Sequence, residues 1–143
     1  MAVKPIPDGF RTVTPYLVVD DVPKLLEFLT TAFGANVQER TEDGSGRVMH
    51  AQVMIGDSIV MMGQAMEGFP AESCMLYVYT EDVDGSYKRA LDAGAVSIRE
   101  PVDEFYGDRV AGVKDPGGIK WLLATHVEDV SPEEIARRAK NRG

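Results

Sequence analysis

The sequence holds one cysteine, one tryptophan and two histidines in 143 residues. A single thiol, Cys74, excludes a disulfide framework and any cysteine-based zinc finger. Its setting, Ser73-Cys74-Met75-Leu76-Tyr77, reads as that of a small buried hydrophobe. Positive charge is also scarce: 15 Lys and Arg against 23 Asp and Glu leave a formal net charge of −8. Duplex binding needs a cation excess to neutralise phosphates, so no nucleic acid partner is expected. No apolar run approaches the roughly 18 residues of a membrane-spanning helix, so no membrane partner is expected either. Residues 1–10 contain Lys4, Pro5, Pro7 and Asp8 and lack the apolar stretch of a secretory leader, which points to the cytoplasm. There is no Gly-x-Ser-x-Gly elbow, no His-Glu-x-x-His and no phosphate-binding glycine loop. Gly44-Ser45-Gly46 lacks the strand-to-helix setting such a loop needs. With 44% hydrophobic residues the chain is too apolar for disorder. Its length suits one domain that buries about 70% of its unfolded surface.

Punctuation along the chain is clear. Residues 11–19 read as a strand, with Pro15 suiting an edge or bulge. Asp20-Asp21 offers a helix N-cap, Pro23 fits the first turn, and Leu25, Leu26, Phe28, Leu29, Ala32 and Phe33 follow at helical spacing up to Gly34. Strands are expected over 35–41, 47–55 and 58–63, the last two joined tightly at Gly56-Asp57. After a connector near Gly68–Pro70 come a strand over 74–80, a helix capped by Glu81-Asp82 and ended at Gly94, and strands over 95–100, 108–114 and 119–125. Ser131-Pro132-Glu133-Glu134 has the spacing of a capping box for a last helix over about 131–142. Its Arg137, Arg138, Lys140 and Arg142 read as a solvated, dipole-complementing end.

The order strand–helix–strand–strand–strand therefore occurs twice, over about 11–66 and 72–126. Tyr16 to Val22 matches Tyr77 to Val83 at an offset of 61, and Gly56 to Met61 matches Gly117 to Leu122 at the same offset. Phe33-Gly34-Ala35 matches Ala93-Gly94-Ala95 at 60, one residue being gapped in the helix.

A paired βαβββ repeat resembles the vicinal oxygen chelate superfamily, which includes glyoxalase I, the bleomycin-resistance proteins and extradiol dioxygenases. More narrowly, several stretches resemble its PhnB-like branch. They are Thr14-Pro15-Tyr16-Leu17, Ala32-Phe33-Gly34-Ala35, His50-Ala51 with Ile55-Gly56-Asp57-Ser58, Tyr106-Gly107-Asp108-Arg109 with Asp115-Pro116, and the closing run from Trp121 to Ser131. The resemblance implies an α+β fold in which two modules curl mixed sheets around a concave site. It also implies a homodimer. Metal-dependent members place ligands at positions that correspond here to Thr14, Met61, Met75 and Leu122, none of which carries an imidazole or carboxylate. No metal or other cofactor is therefore expected.

Strand alternation assigns faces. Thr14 and Tyr16 share a face, as do Met75, Tyr77 and Tyr79. A two-residue loop at Gly56-Asp57 pairs Met54 with Ile59, Gln52 with Met61 and His50 with Gly63, so His50, Gln52, Met54 and Met61 go together. A four-residue loop at 115–118 pairs Lys114 with Ile119, which sets Arg109 on the face of Lys120, Leu122 and His126. Six of seven methionines fall between Met49 and Met75; they either fill the core or line an adaptable surface. Glu100, Asp103, Glu104 and Asp108 read as a solvated loop cluster. The expected function is binding of a small aromatic or apolar ligand. Tyr16, Tyr77 and Tyr79 would stack on it, and Arg109, Lys120 or His50 would hold a polar or anionic group. The alternative is a metal-dependent lyase, isomerase or dioxygenase using His50, His126 and a loop acid.

Overall fold

The computed structural model describes residues 3–142. The elements run β1 (Tyr16–Val19), α1 (Val22–Phe33), β2 (Asn36–Glu42), β3 (Val48–Ile55), β4 (Ser58–Gln64), β5 (Met75–Tyr79), α2 (Val83–Asp92), β6 (Val96–Asp103), β7 (Asp108–Lys114), β8 (Lys120–His126) and α3 (Pro132–Lys140). They form two four-stranded mixed sheets, ordered β1-β4-β3-β2 and β5-β8-β7-β6. The sheets do not join into one wall. Register repeats with the sequence offset: Tyr16 lies beside Met61, and Tyr77 beside Leu122.

The first strand is shorter than expected. It begins at Tyr16, because Pro15 has no N–H to donate; its carbonyl still accepts from the Met61 amide at 3.0 Å. Helix α1 starts where Asp21 accepts from the Lys24 amide at 3.1 Å, and it stops at Gly34, whose φ of 65° suits a residue without Cβ. In α2, Asp82 plays the same part for the Gly85 amide. A second device recurs with different chemistry. Gln64, at the end of β4, accepts from the Val22 amide and donates to the Asp20 carbonyl. Thr125, at the matching place in β8, accepts from the Val83 amide and donates to the Thr80 carbonyl. Each side chain satisfies an otherwise orphaned first-turn donor and ties a helix start to its sheet.

Helix α1 covers one face of the first sheet, α2 one face of the second, and the two helices pack on each other. One continuous core results, running from Leu17, Val19, Leu26 and Leu29 through to Val113, Trp121 and Leu123. Phe33 of α1 reaches the Trp121 ring of the other module, with centroids 5.1 Å apart. The opposite face of each sheet is left open.

Asp115 organises the β7–β8 turn. One carboxylate oxygen accepts from the Gly117 and Ile119 amides at 2.7 and 3.1 Å, and the other from the indole of fully buried Trp121 at 2.9 Å. The Asp115 amide bonds the Ile119 carbonyl, so the loop is three residues long, and Gly118 takes the left-handed conformation at φ 94°. Lys114 consequently pairs with Lys120 rather than Ile119. This corrects the expected register by one residue, and every β7 side chain changes face.

Helix α3 begins at Ser131, whose hydroxyl accepts from the Glu134 amide. The Glu134 carboxylate turns to Arg137 and Arg138, which hold it down at about 2, so the capping box is only half formed. The basic end is not simply solvated. Arg138 bonds Glu128 and the Phe105 carbonyl, and Arg142 lies 4.9 Å over the Phe105 ring, which pins α3 to the β6–β7 turn. Cys74, expected inside, is exposed just ahead of β5. Among the described residues no helix is long and apolar enough to cross a membrane.

Candidate functional site

The open face of the first sheet carries Tyr16, His50, Gln52, Met54 and Met61, in the register expected from the two-residue turn. Tyr16 leans on His50 with ring centroids 5.7 Å apart, and its hydroxyl lies directly over Gly63, where any Cβ would collide with it. His50 Nδ1 lies 3.3 Å from the Glu39 carboxylate, and Gln52 donates to Gln38 at 2.8 Å. A bond from Thr41, more than the contacts with His50, holds Glu39 below the usual carboxylate range. Thr14 sits just outside β1, its hydroxyl spent on the Arg11 carbonyl.

The second sheet presents Met75, Tyr77, Tyr79, Lys120 and Leu122 on its open face. Arg109 is not among them. The register shift turns it to the helix side, where it forms a two-pronged ion pair with Asp84 at the start of α2 and a third bond to Asp103. Its place on the open face is taken by Asp108. That residue is only 4% exposed, although sequence placed it among solvated loop acids. Tyr77 and Tyr79 donate to one of its oxygens at 2.6 and 2.9 Å, and His126 Nδ1 bonds the other at 2.8 Å. The second nitrogen of His126 reaches Asp129 at 2.7 Å.

The protonation states of this network follow from its geometry. Burial alone would raise the Asp108 carboxyl, but the bonds from Tyr77, His126 and Tyr79 together bring it below its ordinary value. Tyr77 is pushed well up by burial, by its bond to Asp108 and by neighbouring Tyr106. Tyr79 is raised chiefly by its bond to Asp108, and His126 by its bonds to Asp108 and Asp129. At neutral pH the centre is an ionised carboxylate and two intact phenols, beside an imidazole whose cationic form the two carboxylates favour more than water does.

A cleft of about 650 Å³ opens between the modules, along the free edge of β5 and against the Gly56-Asp57 turn. Phe33, Val60 and Trp121 give it an apolar floor, and Tyr77 and Tyr79 stand at its side. The candidate residues thus fall into two sets, one on each sheet.

A divalent ion does not fit the corresponding positions. Thr14, Met61, Met75 and Leu122 offer hydroxyl, thioether and alkyl groups where imidazole or carboxylate is needed. His50 and His126 belong to different sheets, and each already faces carboxylates. Among the described residues no group of three or more His, Cys, Asp or Glu is arranged to hold an ion.

Two βαβββ modules with helices packed between open mixed sheets define a glyoxalase-type α+β fold. The match to the Glyoxalase/Bleomycin resistance protein/Dioxygenase superfamily extends over residues 10–123, and the chain belongs to that superfamily. An uncharacterized protein of Mycobacterium bovis is 31% identical over 142 residues, covering 92% of this chain and 93% of its own. Among solved structures, TioX from Micromonospora sp. ML1 superposes with a TM-score of 0.71 at 24% identity, covering 82% of this chain and 99% of TioX. A family enzyme from Burkholderia phytofirmans PsJN gives 0.66 at 18% identity, over 80% and 97%. At these identities the two structures establish the fold.

Proposed function

We propose that the protein is a cytoplasmic small-molecule-binding member of the superfamily, within its PhnB-like branch, that holds an aromatic or largely apolar ligand without a divalent ion. The observation that carries this reading is the chemistry of the two open sheet faces. Phenols, thioethers and alkyl groups stand where metal-dependent relatives need ligating side chains. Aromatic rings supply contact area with a polar tip, and methionines adapt to irregular shapes. We further propose that two copies pair, so that open faces from different chains enclose the ligand. The exposure of Tyr16, Met75, Tyr77 and Tyr79 supports this, because a monomer that leaves a row of large apolar side chains in water has a surface suited to an interaction.

The test is a thermal-shift and NMR screen of purified protein against aromatic and polycyclic compounds, run with and without added Zn, Ni, Mn and Fe. Saturable shifts at Tyr16, Tyr77 or Tyr79, unchanged by metal or chelator, are expected. A panel-wide absence of shifts, or binding that requires stoichiometric metal, contradicts the reading.

A further inference from the structure

We infer that the Tyr77–Tyr79 end of the second sheet selects the positively charged or N–H-bearing part of its ligand, and that an anionic group is disfavoured there. The inference rests on the ligand-binding reading above and names the ligand chemistry at one end of that face.

An ionised carboxylate can only accept, so at 2.6 and 2.9 Å from Asp108 both phenol protons must point inward. Tyr77 and Tyr79 therefore turn only lone pairs and ring faces outward. His126 has nothing left to donate to a ligand, since its two nitrogens are engaged by Asp108 and Asp129. Counting Asp108, Asp129 and a protonated His126, the cluster carries a net charge of −1, and −2 when His126 is neutral. The two rings stand 5.3 Å apart at 59°, a wedge that presents π faces to a guest, with Tyr106 beside Tyr77. A cation or N–H donor in that wedge meets ring quadrupoles, phenol lone pairs and a carboxylate behind them. An anion meets a net negative charge and no free donor from Tyr77, Tyr79 or His126.

Cations on the face do not reverse this. Arg109 is on the other side of the sheet. Arg99 packs beside Gly112 and is paired with Glu104 at 2.6 Å. Lys120, beside Met75 and opposite Lys114, lies two residues along β8 from the Tyr77 row and four from the Tyr79 row, about 7 and 13 Å at ordinary strand rise. The lysines mark the opposite, anion-tolerant end of the same face.

The test uses two probes of similar size, benzylammonium and phenylacetate, titrated into protein carrying carbon-13 tyrosine, with the Tyr77 and Tyr79 ring resonances as readout. Benzylammonium is expected to bind about tenfold more tightly than phenylacetate. Asp108→Asn should lower amine affinity at least about fivefold and tighten phenylacetate, because the repelling charge is gone and the phenol protons are free to turn outward, and added salt should weaken the amine alone. If Asp108→Asn does not fold, Tyr79→Phe, which deletes one outward lone-pair site and keeps the ring, should reduce amine binding in the same direction. Equal binding of the two probes, or tighter phenylacetate binding, overturns the inference and leaves the aromatic-ligand reading standing. No response of either tyrosine to either probe up to about 10 mM overturns both.

Discussion

Two buried aspartates, Asp108 and Asp115, each accept three hydrogen bonds, and they should respond differently to the same replacement. Asp115→Asn keeps one acceptor oxygen and places an NH2 where the second oxygen was. If the oxygen stays over the Gly117 and Ile119 amides, the new amide faces the Trp121 indole N–H, donor against donor, at a fully buried ring. Flipping the amide only moves the conflict to the two backbone donors. Indole and backbone N–H groups cannot reverse polarity, and water cannot reach the ring. One charge-assisted bond is lost and one buried donor is orphaned, a cost of about 2–4 kcal/mol. For a domain of this size that lowers Tm by roughly 6–15 °C. At Asp108 the partners are phenols and an imidazole. A phenol hydroxyl can rotate from donor to acceptor and take the new NH2. Tyr77 and Tyr79 are 41% and 63% exposed, so water can complete their bonding. Asp108→Asn should therefore cost less than about 1 kcal/mol. Thermal and urea unfolding followed by circular dichroism measures both variants. Equal losses at the two positions would refute the reasoning, because the Asp108 cluster would then be a structural element of the sheet and not an adaptable polar surface.

The same network sets a pH dependence. The His126 pKa is raised by folding, so its contribution is full below about 6.5 and is lost as pH rises through the folded value. The Asp108 pKa is depressed, so its contribution is present above about 3.9 and is lost as pH falls through the folded value. NMR titration should place His126 above an unperturbed imidazole, and Asp108→Asn should bring it down. Gly63→Ala should fold normally but push the Tyr16 hydroxyl aside and change the Tyr16 and His50 ring shifts, since a flexible side chain yields more cheaply than backbone. Trp121→Ala removes a side chain shared by both modules and should cost about 3–5 kcal/mol, read from urea unfolding.

Most of the architecture was written in short-range chemistry. Caps at Asp21, Asp82 and Ser131, stops at Gly34 and Gly94, and the Gly56-Asp57 turn fixed element ends within a residue or two. The first hairpin was legible because a two-residue loop leaves no choice of register. The second was not. Asp115-Pro116-Gly117-Gly118 looks like a four-residue loop, but the Asp115 amide bonds the Ile119 carbonyl and moves the first pair to Lys114 and Lys120. That single residue hid Asp108 and put Arg109 on the wrong face. The available signal was an acid opening a strand opposite a histidine, two strands from a Tyr-x-Tyr pair; it needed the correct loop count to be seen. Cys74 was misplaced for a similar reason, because β5 starts one residue later than alternation suggested.

Native mass spectrometry of untagged protein, taken directly from cells and paired with elemental analysis, tests the central claim most directly. The account predicts a species of twice the chain mass that carries a bound organic molecule and well under one equivalent of any divalent metal. A monomer free of small molecules, or a stoichiometric metal ion that persists through purification, contradicts it.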